Sequence, residues 1–127
     1  MIDHLGIKVR NHAQSKAFYL AALGPLGIGV VMEVGKELTG QSSDYTGFGA
    51  DGKPFFWIGE GTPGSGTHLA LVARTRQQVD EFHRAALAAG ARDNGPPGIR
   101  PHYHPNYYGA FVIDPNGVNL EAVCHTG

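Results

Sequence analysis

Residues 4–23 and 68–87 are two copies of one pattern at a constant offset of 64, with no gap. The first copy reads HLGIKVRNHAQSKAFYLAAL and the second HLALVARTRQQVDEFHRAAL. Eight of the twenty aligned positions are identical: His4/His68, Leu5/Leu69, Arg10/Arg74, Gln14/Gln78, Phe18/Phe82, Ala21/Ala85, Ala22/Ala86 and Leu23/Leu87. An internal repeat of this length describes one supersecondary unit built twice. Whatever the first half folds into, the second must approximate.

Each copy opens as a strand. Leu5, Ile7 and Val9 alternate with Gly6, Lys8 and Arg10, the period of two that half-buries a strand. A helix follows. Asn11 and Thr75 are suitable N-caps, each with a Gln three residues on, in the manner of a capping box. Phe18, Ala22 and Leu23, like Phe82, Ala86 and Leu87, repeat at helical spacing. Gly24-Pro25 and Gly90 end the helices. Strand-like runs come next at 28–34, 45–49 and 54–59, and again, after a poorly defined run near 91–100, at 107–113 and 118–125. Asp51-Gly52 and Asp114-Pro115-Asn116-Gly117 are the hairpin turns. The reading is α+β: two βαβββ modules over 1–59 and 67–127, with a linker at 60–66. The two form a cup-shaped curved mixed sheet with helices on the outside.

Strand alternation assigns faces. Leu5, Ile7, Val9 and Leu69, Leu71, Ala73 go beneath the helices, and Val118, Leu120, Ala122 and Cys124 form the apolar set of the last strand. His4, His68 and Glu121 then share the face away from the helices. Lys8, Arg10 and Arg74 also point that way, where a cation such as Arg10 receives an anionic substrate or is simply solvated. The segment from Arg100 to Tyr108 is dense in His and Tyr, and its prolines make it a loop. Tyr103, His104 and Tyr107 are candidates to line a pocket beside it. A rigid surface loop or a dimer contact is the alternative. His12 and His83 are expected to be exposed on helices, Trp57 to be core, and Cys124 to be a small buried residue. His125 shares the face of Glu121, either as a supporting group or as a loose tail.

These motifs carry a resemblance. Ser15, Phe18, Tyr19, Leu23 and Gly24 resemble the SxxFYxxxLG helix of the vicinal oxygen chelate superfamily, which includes glyoxalases, bleomycin resistance proteins and extradiol dioxygenases. Asp114-Pro115-Asn116-Gly117 with Glu121 is similar to its DPxGxxxE ending, and His68-Leu69-Ala70 to its central strand. The resemblance implies one divalent metal ion (Fe, Mn, Zn or Ni) held in the cup by residues of the first and fourth strands of each module. Carried over, the ligands are His4, His68 and Glu121. Counted from the hairpin glycines, Gly52 and Gly117, the fourth position is Phe56, which cannot ligate. Two imidazoles and a carboxylate leave coordination positions open, through which a substrate oxygen is polarised or a water activated.

The resemblance implies a glyoxalase-type lyase or isomerase acting on a small oxygen-chelating substrate, with an enediolate-like intermediate and Glu121 as the base. The alternative of another class is a binding protein that sequesters a drug, with Phe56, Phe111, Tyr103 and Tyr107 for stacking. A non-haem iron dioxygenase is the third reading. Phe111 stands ten residues before Glu121, where extradiol dioxygenases usually carry tyrosine. A formal charge of −1 offers no basic footprint for nucleic acid. No apolar run approaches the roughly 20 residues of a spanning helix. One cysteine excludes an internal disulfide. The expectation is a cytoplasmic homodimer with sites shared between chains, the alternative being a cup that each chain closes for itself.

Overall fold

The computed structural model describes residues 1–35, 37 and 44–127. The first repeat makes β1 (Leu5–Val9), α1 (His12–Leu23), β2 (Gly29–Val34), β3 (Tyr45–Ala50) and β4 (Lys53–Glu60). The second makes β5 (His68–Val72), α2 (Arg76–Ala88), β6 (Arg92–Ile99), β7 (Tyr108–Ile113) and β8 (Asn119–Cys124). The strands form two four-stranded mixed sheets, ordered β1-β4-β3-β2 and β5-β8-β7-β6. In each, the first strand runs parallel to the fourth and the others are antiparallel. The repeat in sequence is thus a repeat in topology.

The caps explain where the helices start. Asn11 Oδ1 accepts from Gln14 N at 3.0 Å, and Thr75 Oγ1 from Gln78 N at 3.1 Å. Gln78 Oε1 also reaches back to accept from Arg74 N at 2.7 Å. α1 and α2 pack on one another, α1 also against β4 and α2 against β7 and β8. One apolar core therefore serves both modules: Val9, Phe18, Tyr19, Leu23, Phe48, Phe56 and Ile58 from the first, Leu71, Val79, Phe82, Val112 and Leu120 from the second. Tyr19 meets Phe18 and Phe56 edge to face, with ring centroids 5.0 and 4.9 Å apart.

The two signature stretches meet across the module boundary. Asn116 Nδ2 donates to Ser15 Oγ at 3.0 Å, and Asn116 Oδ1 accepts from Arg10 N at 2.9 Å. Asp114 Oδ1 accepts from Asn116 N at 2.7 Å and Val118 N at 2.8 Å, while the Tyr19 hydroxyl donates to Asp114 Oδ2. Ser15, Asp114 and Asn116 are buried. Their bonds fasten the second hairpin to α1, so these positions hold the halves together. Burial, and after it the Asp114 charge, pushes the Tyr19 hydroxyl well above its ordinary pKa.

Several expectations are corrected. The vague run near 91–100 is a full strand, β6, which tolerates Pro96-Pro97 because it lies at the sheet edge and is bulged. His12 and His83 are partly buried and bonded: His12 Nε2 lies 2.8 Å from Thr46 Oγ1, and His83 Nε2 lies 3.0 Å from Asp93 Oδ1. No helix among the described residues is long and apolar enough to cross a membrane.

Candidate metal and ligand site

On the parallel pair of the second sheet, Ala70 stands opposite Glu121 and His68 opposite Asn119. His68 and Glu121 therefore project on the same face, away from α2. His68 Nε2 donates to Glu121 Oε1 at 2.9 Å. Glu121 is only 1% exposed, yet the His68 side chain beside it is 51% exposed. The carboxylate is thus buried and the imidazole beside it is open to solvent. The hydroxyl of Tyr107 donates to the other oxygen, Oε2. Burial, then the Glu121 bond, drives the Tyr107 pKa far above its usual range and keeps the hydroxyl a donor.

Gly109 leaves room for this contact. A Cβ there would lie 3.2 Å from the Tyr107 ring and 3.3 Å from Glu121 Oε2, crowding the space in which the two side chains meet. Tyr107 belongs to the turn between β6 and β7. Tyr107 O accepts from Arg100 N at 2.7 Å, Arg100 O from Tyr103 N at 3.0 Å, and His104 O from Tyr107 N at 3.2 Å. Tyr103 packs on Tyr107 at 4.7 Å between centroids and His104 on Tyr107 at 5.4 Å, although Tyr103 itself remains 58% exposed. His104 Nδ1 accepts from Asn106 N at 3.1 Å, so its Nε2 is the donor to His125 Nδ1, 2.9 Å away. His125 therefore buttresses the turn and does not touch Glu121. Phe111, paired with Glu121 across β7 and β8, sets its ring 6.3 Å from that of His68.

His4 lies elsewhere. Its Nδ1 is 2.6 Å from Asp3 Oδ2, which Lys53 Nζ also reaches at 3.0 Å. Among the described residues, no three His, Cys, Asp or Glu side chains converge within one chain. His4 heads β1 and His68 heads β5, and each of these strands is an unpaired edge of its own sheet.

Three placements differ from the sequence reading. Phe56 is not on the ligand face: it pairs with Leu5, is fully buried, and packs on Tyr19 beneath α1. The residue matching Glu121 is Trp57, since Gly6 faces Trp57 just as Ala70 faces Glu121. A bulge between Phe48 and Gly49 adds one residue to β4, which defeats counting from the hairpin glycine. The repeat offset of 64 does find it, because Glu121 minus 64 is Trp57. Trp57, expected in the core, is instead half-buried on the open face and lies over Gly47, where a Cβ would come within 2.9 Å of its ring. Arg10, expected near substrate, instead points its guanidinium at Pro115 O, 3.4 Å away in the second hairpin.

The sequence model of the glyoxalase/bleomycin resistance protein/dioxygenase superfamily matches residues 1–122. The chain belongs to this superfamily. A glyoxalase/bleomycin resistance protein from Albidiferax ferrireducens is 30% identical, covers 98% of each chain and superposes with a TM-score of 0.77. A glyoxalase/bleomycin resistance protein/dioxygenase family enzyme from Burkholderia phytofirmans shares the fold at 22% identity, 97% of each chain and a TM-score of 0.70. So does a mutant of the fosfomycin resistance protein FosX from Listeria monocytogenes, complexed with Mn(II) and a dihydroxypropylphosphonic acid. It is 17% identical over 97% of this chain and 88% of that one, with a TM-score of 0.67. No significant match to a curated protein is found. The glyoxalase superfamily includes metalloenzymes and resistance proteins alike.

Proposed function

We propose that the protein is a divalent-metal-dependent enzyme of glyoxalase type, acting on a small substrate with neighbouring oxygen atoms. The observation that carries this is the His68–Glu121 pair. An imidazole nitrogen and a carboxylate oxygen 2.9 Å apart share a proton that a divalent ion would displace, and the two atoms then offer two donors to one ion. His4 holds the same repeat position in the other half and supplies the third donor from a second copy of the chain. Among the described residues β1 and β5 are both sheet edges, and edges left open invite pairing. Val72 on β5 is 70% exposed, an apolar side chain on an edge that association would cover. Placing each β1 beside the β5 of a second copy closes the cup and brings His4 to His68 and Glu121.

A bound divalent ion supplies Lewis acidity to a substrate oxygen. The remaining work falls to the chain. Tyr107 holds Glu121 Oε2, so the carboxylate presents Oε1 to the ligand side. Glu121 accepts the proton moved during the reaction, its own carboxylate being buried from solvent. Phe111 and Tyr103 provide the apolar wall against which the substrate lies.

Elemental analysis and titration with Mn(II) test the reading. The expected outcome is one ion per chain and at least a hundredfold weaker binding in His68→Ala, with an unchanged circular dichroism spectrum. Full metal retention in that variant removes the assignment. If purified protein binds aromatic drugs and no metal at all, the sequestering function replaces it, with the Tyr103, Tyr107 and Phe111 surface as its binding element.

A further inference from the structure

β6 departs from regular pairing twice, between Asp93 and Gly95 and between Gly95 and Gly98. Carbonyls of this irregular stretch hold the side chain of Arg100, the residue that follows β6. Its Nη1 donates to Gly98 O at 2.9 Å and its Nη2 to Pro96 O at 2.7 Å. The guanidinium lies over Phe111, 5.4 Å from the ring centroid. The seat is built for it. A Cβ on Gly98 would be 3.2 Å from Nη1, and one on Gly95 would be 3.2 Å from Nη2 and 3.1 Å from the Phe111 ring. Gly95 also has φ +148, which other residues rarely adopt.

Phe111 is the cross-strand partner of Glu121 and the ring neighbour of His68. His68, Glu121, Phe111 and Arg100 therefore form one stripe across the whole second sheet. Among the described residues, no carboxylate forms an ion pair with Arg100. Its two carbonyl bonds fix the side chain without neutralising it. A preorganised guanidinium with donors to spare, held over an aromatic ring, matches a planar carboxylate. We infer that Arg100 receives the carboxylate of the substrate, so that the substrate class is a small organic acid whose apolar part lies on Phe111 and Tyr103. The inference rests on the reading that this face binds substrate, but it does not require the metal.

Binding of benzoate and benzamide to chelator-treated protein tests it, by saturation-transfer NMR at about pH 8.5, where imidazoles are generally uncharged. The two probes share a ring and differ in charge. Benzoate is expected to bind roughly tenfold more tightly than benzamide, the scale of one charge-assisted pair. Arg100→Met abolishes that preference and leaves benzamide binding intact. Gly98→Ala, which keeps the charge and crowds its seat, reduces it. Equal binding of the two probes by the wild type overturns the inference, whether or not the variants fold, as does a preference that survives in Arg100→Met. A protein that prefers benzoate but takes up no Mn(II) leaves Arg100 in its role and refutes the metal site alone.

Discussion

Tyr19 makes an interaction whose loss is measurable without any substrate. Its hydroxyl is buried against Asp114, which would lose a partner in Tyr19→Phe. Removing a hydrogen bond to a buried charged group costs about 2 kcal/mol, and urea unfolding should show a loss of that size. The same contact sets a pH dependence. The folded-state pKa of Tyr19 is raised, so its neutral form is favoured by folding. That stabilisation is complete below the unfolded value of 10.0. It declines as pH rises above that value, because the unfolded chain then releases a proton that the folded chain keeps. Melting temperatures measured above about pH 10 should therefore fall more steeply in the wild type than in Tyr19→Phe. Parallel curves for the two proteins would show that the hydroxyl is not the titrating group.

At the scale of elements, β4 is where reading and structure part. The helices, their caps, both hairpins and the face of β5 follow from period and turn chemistry. The one-residue bulge opposite Phe48 and Gly49 is a backbone irregularity with no periodic signature, so it exchanged the faces of Phe56 and Trp57. The Tyr107–Glu121 contact was equally hidden, because it depends on how a turn folds back on its own sheet. The seat of Arg100 had a visible trace in Gly95-Pro96-Pro97-Gly98, whose meaning emerges only once β6 is paired. The β4 register makes opposite predictions for neighbouring substitutions. Phe56→Glu places an unpaired charge among Tyr19, Phe48 and α1 and should destabilise the fold by at least about 3 kcal/mol. Trp57→Glu occupies the position equivalent to Glu121 on the open face. It should fold and bind Mn(II) about tenfold more tightly, read by calorimetry. Tighter binding in Phe56→Glu instead would return the register to the one counted from the hairpin glycine.

For the whole molecule, the decisive question is which chains contribute to one site. Mixing His4→Ala with Glu121→Ala under conditions of subunit exchange answers it. In a mixed dimer with shared sites, one site draws His4 from the Glu121→Ala chain and His68 with Glu121 from the other. Random exchange makes half the dimers mixed, so about a quarter of wild-type Mn(II) sites should return. If each chain completes its own cup, none returns. A chain that is monomeric at micromolar concentration in gel filtration also ends the proposal. The division of donors between the heads of β1 and β5 has a thermodynamic consequence if the dimer forms as proposed. Ion uptake and self-association then close a single cycle, so each must strengthen the other by the same factor. An ion at a hundred times its dissociation constant would favour the assembled form by about 2.7 kcal/mol per site. Chelation and dilution would become interchangeable ways of taking the same particle apart.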